Sequence, residues 1–293
     1  MLALLGFLFG GISGIWYAAL FGATLFLFSP HISPQFLMRL YRARPLNPYE
    51  AEDIYAIITT LAKRAGLPAV PQLYYLPTRM MNAFAVGNRK NAVIAVTDGL
   101  LRRLDSREFA GVLAHEISHI RHNDLRVMSI ADVISRMTSL LSTFGQLLLF
   151  FNLPLLLMGQ VTISWLGILL LIAAPTISSL MQLALSRTRE FDADLGAVEL
   201  TGDPDGLARA LQKLEYYQGN LWQSVLMPGR RVPDPSILRT HPHTEERVRR
   251  LQALKSEYQR FPEDNSFSDF SLPSHFTQII NQPRWHHLRG IWY

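Results

Sequence analysis

Met137 to Ser186 reads MTSLLSTFGQLLLFFNLPLLLMGQVTISWLGILLLIAAPTISSLMQLALS, fifty positions without an Asp, Glu, Lys or Arg. A helix that crosses a bilayer needs roughly 20 apolar residues, so this stretch has room for two. Gly159-Gln160 supplies the turn, which leaves helices over 138–158 and 161–185. Pro154 and Pro175 would kink them, as membrane helices tolerate. A hairpin buried in a soluble core is the competing account, but a soluble helix pair rarely hides that many uncharged residues from water.

Outward from the hairpin, charge is distributed with the same logic. Residues 1–38 carry no Asp, Glu, Lys or Arg. Their core, Leu2 to Phe28, is long enough for one span, and the basic start that a signal peptide requires is missing. Arg39, Arg42 and Arg44 follow that span. Arg121, Arg126 and Arg136 precede the hairpin, and Arg187 and Arg189 follow it. Basic residues flank membrane spans on the cytoplasmic side, so three spans are expected, with the polar segments cytoplasmic and the N-terminus outside. The expected divisions are a transmembrane span over 1–30, the first part of a polar domain over 31–136, the hairpin over 137–186, the second polar part over 187–258, and an irregular tail over 259–293.

Composition agrees. Hydrophobic residues make up 49% and charged residues 17%, against about 25% charged in soluble domains. That excludes a disordered or acidic scaffold. With no cysteine, there is no disulfide framework, thiolate metal site or cysteine nucleophile. The net charge of +5 is accounted for by the span flanks, and no nucleic-acid partner is expected.

The polar parts read as mainly α, with a small β-sheet. Ala51, Ile54, Ile57, Ile58 and Leu61 recur at helical spacing within 48–65. Residues 72–76, 82–87 and 92–97 have strand composition. Asp105-Ser106-Arg107-Glu108 has the form of a capping box, opening a helix that carries Phe109, Val112, Leu113, Glu116, Ile117 and Ile120. A helix over 187–217, broken near Gly202-Asp203-Pro204, and another from Glu245 with a basic face complete the reading.

Just upstream of the hairpin stands His115-Glu116-Ile117-Ser118-His119. Histidines at i and i+4 share a helix face, and each can place a ring nitrogen about 2.0–2.1 Å from one zinc ion. Glu116 then lies beside the open coordination position, where it can act as general base toward water. A catalytic zinc wants a third protein ligand. His122 is badly directed for that role and reads as a surface residue. Just downstream of the hairpin, Glu190 and Asp194 share a face at i and i+4. One can bind metal while the other accepts a hydrogen bond from a ligating histidine. Asp192 points elsewhere. His119 and Glu190 can meet only if an even number of spans separates them, and the hairpin supplies two.

With these motifs the chain resembles the membrane-embedded zinc metallopeptidases of the HtpX type, relatives of the CAAX prenyl proteases. The carriers are Asn82-Ala83-Phe84-Ala85, Thr97-Asp98-Gly99-Leu100-Leu101, the His115–His119 motif, Ser186-Arg187-x-Arg189-Glu190-Phe191-x-Ala193-Asp194 and His241-Pro242. The resemblance implies a zincin-like catalytic domain with one zinc ion per chain, held by His115, His119 and Glu190. It implies three catalytic residues: Glu116 as base, Asp194 as an acidic residue behind the metal that is sometimes treated as a proton donor, and His241 as a group that stabilises the oxyanion. Asn82, Ala83, Phe84 and Ala85 would form an edge strand that holds an extended substrate by strand addition. The expected activity is hydrolysis of misfolded or damaged membrane proteins, with polypeptides and the lipid bilayer as partners. A membrane adaptor that holds peptides without cutting them, and a narrow processing protease of the CAAX type, are the alternatives. Relatives often carry two N-terminal spans where this chain has room for one. The final segment, Arg284 to Tyr293, mixes Trp, Tyr and Arg and is expected to have a packing or membrane-interface role, the alternative being a cover over the active-site cleft with His286 or His287 near the metal.

Overall fold

The computed structural model describes residues 2–28, 33–151, 153–154, 158–159, 165–225 and 244–258, together with 267, 270, 272, 285–286 and 291–292. In chain order these form α1 (Leu2–Phe28), α2 (Pro34–Leu40), β1 (Arg44–Pro45), α3 (Glu52–Arg64) and β2 (Gln72–Leu76). Next come β3 (Ala83–Asn88), β4 (Asn91–Thr97), α4 (Asp98–Leu101), α5 (Ser106–His122) and α6 (Asp124–Phe151). Then follow α7 (Trp165–Thr201), α8 (Pro204–Val225), α9 (Thr244–Tyr258) and two short strands, β5 (Trp285–His286) and β6 (Ile291–Trp292). The molecule is mostly helical with a small mixed sheet. The chain divides into two units, residues 1–31 with 125–188, and residues 32–124 with 189–293.

In the first unit, α6 and α7 are each long and apolar enough to cross a membrane. They leave large apolar side chains exposed, among them Leu140, Phe144, Phe150, Leu169, Ile172 and Leu180. Polar atoms are instead buried between the helices. Ser135 and Ser178 hydroxyls meet at 3.1 Å, and Ser142 donates to the Leu171 carbonyl. Small hydroxyl residues that bond across a helix pair are one of the contacts that join helices in an apolar surrounding. The helix α6 begins at Asp124, well before the uncharged run, so Asp132 and Arg136 ride on it as an exposed i,i+4 pair 2.8 Å apart. Residues 2–28 are helical as expected, but they do not form one straight rod. Gly11 takes φ +58°, and the backbones of Gly6 and Gly14 lie against each other. In a straight helix these positions would be about 12 Å apart, so the chain reverses at Gly11. Glycine takes this left-handed conformation without a side-chain penalty.

In the second unit the sheet has strand order β1-β2-β4-β3. β2 and β4 are parallel, whereas β1–β2 and β3–β4 are antiparallel. β4 is central and buried from Ala92 onward, and β3 lies at the edge. Met38, Phe84, Val93 and Ala95 form a core cluster on one face. The capping box is formed: Glu108 N–H donates to Asp105 Oδ1 at 2.8 Å, and Asp105 N–H to Glu108 Oε2 at 2.9 Å. The break expected near residue 202 is also present, as α7 ends at Thr201, Gly202 has φ +69°, and α8 starts at Pro204. In the stretch expected to be an irregular tail, β5 and β6 pair antiparallel.

Candidate metal centre

The capping box fixes where α5 starts, and from there Phe109, Leu113 and Ile117 pull one side of the helix into the core. His115 follows that buried side and is 6% exposed. His119, one turn later, sets its ring nearly perpendicular to that of His115, at 85° and 4.7 Å between centroids. Close packing brings α7 to the same place. A Cβ built on Gly196 would collide with the Ser118 hydroxyl and lie 3.0 Å from Ser118 Cβ. With Ser118 opposite, a side chain at 196 would force one of the two helices to shift, and the close crossing sets Glu190 and Asp194 over the two imidazoles.

The result is a triad of donor atoms. His115 Nε2 and His119 Nε2 are 3.2 Å apart. Glu190 Oε2 lies 3.4 Å from the first, and Glu190 Oε1 lies 3.7 Å from the second. Bonds of 2.0–2.1 Å at tetrahedral angles put neighbouring ligand atoms about 3.3 Å apart, so the spacing suits a small divalent cation. The hydrogens agree. His115 Nδ1 is 3.0 Å from Asp194 Oδ1, and His119 Nδ1 is 2.9 Å from Asp124 Oδ2. Each Nδ1–H donates to a carboxylate, which turns both Nε2 lone pairs toward one point. Lone pairs facing one another beside a carboxylate call for a proton or a metal ion between them.

The same field acts on protons. Burial pushes the His115 imidazole down, but its hydrogen-bonded partners Asp194 and Glu190 pull it up further, to about 10. A bound cation must displace that proton, because a ligating imidazole is neutral.

Glu116 stands at the rim. Its Oε2 accepts a 3.0 Å hydrogen bond from Ala85 N–H. Antiparallel ladders alternate, so Ala83 and Ala85 turn their main-chain groups to the free edge of β3. Of the four strand residues expected to hold substrate, Ala83, Phe84 and Ala85 lie in β3, and Asn82 immediately precedes it. The Asn82 carbonyl accepts from Thr97 N–H, and Asn82 N–H donates to Thr97 Oγ1. The Phe84 ring belongs to the core cluster and meets Tyr41 edge-on. His122 is exposed and lies 3.3 Å from the Ser118 hydroxyl. Asp192 is 3.7 Å from Arg189. His241 and the side chains of the terminal aromatic segment fall outside the described residues.

The roles of three residues at this centre escape a sequence reading. Arg247, on α9 and 4% exposed, grips Asp194 through Nε and Nη2 at 2.7 and 2.6 Å, and its Nη1 lies 3.4 Å from Glu190 Oε2. Burial lowers its affinity for a proton, but the Asp194, Glu190 and Glu116 carboxylates raise it further, so it stays charged. Asp124 backs His119, and Arg189 lies 3.5 Å from Asp124. A carboxylate five residues beyond a metal-spaced histidine, after a turn-forming asparagine, is a signal that could have found Asp124. Arg247 gives no such signal, since basic residues on a helix face usually point to solvent.

Comparison with known proteins places these residues inside one matched region. The sequence profile of Peptidase family M48 matches residues 48–255. A protease HtpX homologue from Campylobacter hominis is 35% identical over 266 residues, covering 85% of this chain and 92% of the relative. Another, from Thermococcus sibiricus, is 36% identical over 282 residues, covering 87% and 91%. Among solved structures, the crystal structure of S. mikatae Ste24p superposes with a TM-score of 0.55 at 24% identity. That superposition covers 85% of this chain and 61% of the other, and is a likeness of fold.

Proposed function

Because the chain belongs to Peptidase family M48, and is thus a metalloprotease that acts on polypeptides, we propose that it is a multi-pass membrane zinc endopeptidase cutting misfolded or damaged membrane proteins at the cytoplasmic face. One observation carries this reading: two imidazole Nε2 atoms and the Glu190 carboxylate converge beside a glutamate held on a sheet edge. His115, His119 and Glu190 hold the metal, and a histidine–carboxylate set without thiolate suits zinc. Bound there, zinc would polarise a scissile carbonyl and lower the pKa of a water toward neutrality. Glu116 takes the water's proton and later passes it to the leaving amine. Asp194 keeps the Nδ1 hydrogen of His115 directed away from the metal. His241, carried over from the family resemblance, donates to the oxyanion. The outward main-chain groups of the Asn82–Ala85 segment bind an extended substrate as an added strand, which tolerates many sequences. The exposed apolar side chains of α6 and α7 support lipid contact, and the basic span flanks support the cytoplasmic orientation.

Metal content and cleavage of a casein-like unfolded protein test this on detergent-purified wild type and Glu116→Gln. One zinc per chain is expected in both, with turnover lower by about 10²–10⁴-fold in the variant. Near-normal turnover in Glu116→Gln removes that residue from the mechanism. Zinc in both with cleavage in neither favours a peptide holder.

A further inference from the structure

His119 can offer Nε2 to a metal only if its hydrogen sits on Nδ1 and the ring is prevented from turning. The group that meets Nδ1 is Asp124 Oδ2, at 2.9 Å, from a carboxylate only 2% exposed. A buried carboxylate needs a compensating charge, and Arg189 Nη1 lies 3.5 Å from Asp124 Oδ1. The two residues have a particular place in the chain. Asp124 is the last residue of the polar unit before the apolar hairpin, and Arg189 is the first after it. Arg189 also directly precedes Glu190. Between His122 and Asp124 the backbone turns on Asn123, with φ +57° and ψ +30°. That single left-handed residue ends α5 and brings Asp124 back beneath His119. As the first residue of α6, Asp124 also lies where a helix favours negative charge.

We propose that the Asp124–Arg189 pair is the positioning device for His119, so that the two residues bracketing the hairpin set the metal affinity of the centre. Neither touches metal or substrate, and both act through the imidazole. Arg247 does the matching service for His115 by gripping Asp194, so each imidazole is backed by an aspartate and an arginine from separate places in the chain. The inference rests on the proposed metal role of His119.

Zinc affinity of the full-length, detergent-purified chain, measured by competition with a chromophoric chelator, tests it without reference to turnover. Asp124→Asn is expected to weaken zinc binding by about 10–100-fold. Arg189→Gln should weaken it less, and should add nothing once Asp124→Asn is present, because the arginine acts through the aspartate. The cobalt-substituted protein should show an altered ligand-field absorption spectrum in Asp124→Asn. Asn123→Gly, which keeps the left-handed turn, should bind zinc like wild type. Arg107→Gln, which breaks a 2.7 Å ion pair to Asp203 elsewhere on α5, is the control for lost stability, with affinity retained. Wild-type affinity and spectrum in Asp124→Asn overturn the inference. So does strict additivity of the two substitutions. If wild type binds no zinc, or His119→Ala binds it equally well, the metal centre itself falls and the inference falls with it.

Discussion

His115 answers to two opposed demands, and in the proposed centre the metal decides between them. Its protonated form is favoured in the folded chain, where its pKa is raised from 6.5 to about 10. A raised histidine pKa contributes stability that is complete below the unfolded value and disappears as pH rises through the folded one. The metal-stripped protein is therefore expected to lose thermal stability between about pH 6.5 and pH 10. With zinc bound the ring is neutral across that range, and the slope should vanish. Melting curves with and without chelator check this, and a flat profile in the stripped protein would show that His115 does not sit between the two carboxylates. Arg247 carries a second expectation at this scale. Truncation to Ala leaves Asp194 buried without its bidentate partner, at a cost of about 3–5 kcal/mol, measurable by denaturant unfolding.

Among the elements, the crossing of α5 and α7 matters most, because it joins two of the proposed ligands to the third. Gly196 sits against Ser118, the neighbour of His119. Gly196→Ala should push α7 outward and carry Glu190 away from the imidazoles. Metal content at fixed free zinc is expected to fall severalfold while helix content by circular dichroism is kept. Adding Ser118→Gly should restore much of the loss. Rescue is the discriminating result, since a merely destabilised helix would not recover zinc. The sheet contributes through β3, whose edge position leaves Ala85 N–H free of β4 and able to meet Glu116.

The whole molecule is set by a chain that leaves its polar unit at Asp124 and returns at Arg189. The proposed topology requires both ends on one side of the membrane. The chain contains no cysteine, so single cysteines report cleanly. Tyr49→Cys, at a position 99% exposed, should react with a membrane-impermeant maleimide in inverted vesicles and resist it in intact cells. Phe144→Cys, on the apolar helix α6, should resist the reagent until the membrane is dissolved. Labelling of Tyr49→Cys from outside intact cells would reverse the orientation.

By itself the sequence determined the long helices, the three principal strands of the sheet and the i,i+4 spacing of the histidines, because each is written in local periodicity, whereas the two-residue strands β1, β5 and β6 carry no such pattern. His115 and His119 share a face because they stand at i and i+4, Asp105 and Glu108 cap the helix that carries them, and fifty uncharged residues have room for two apolar helices. An expected hairpin of two spans allows Glu190 to meet His119, and the two side chains lie 3.7 Å apart. The reversal at Gly11 was not legible, since an uncharged apolar run looks the same straight or folded back. Only the tertiary structure decided which charges are buried together. Arg247 resembles an ordinary basic residue on a helix face, and the sequence around Asp124 and Arg189 does not say that the two face each other. Their partners come from other elements, and burial turns weak surface charges into ion pairs strong enough to aim two imidazoles at one point.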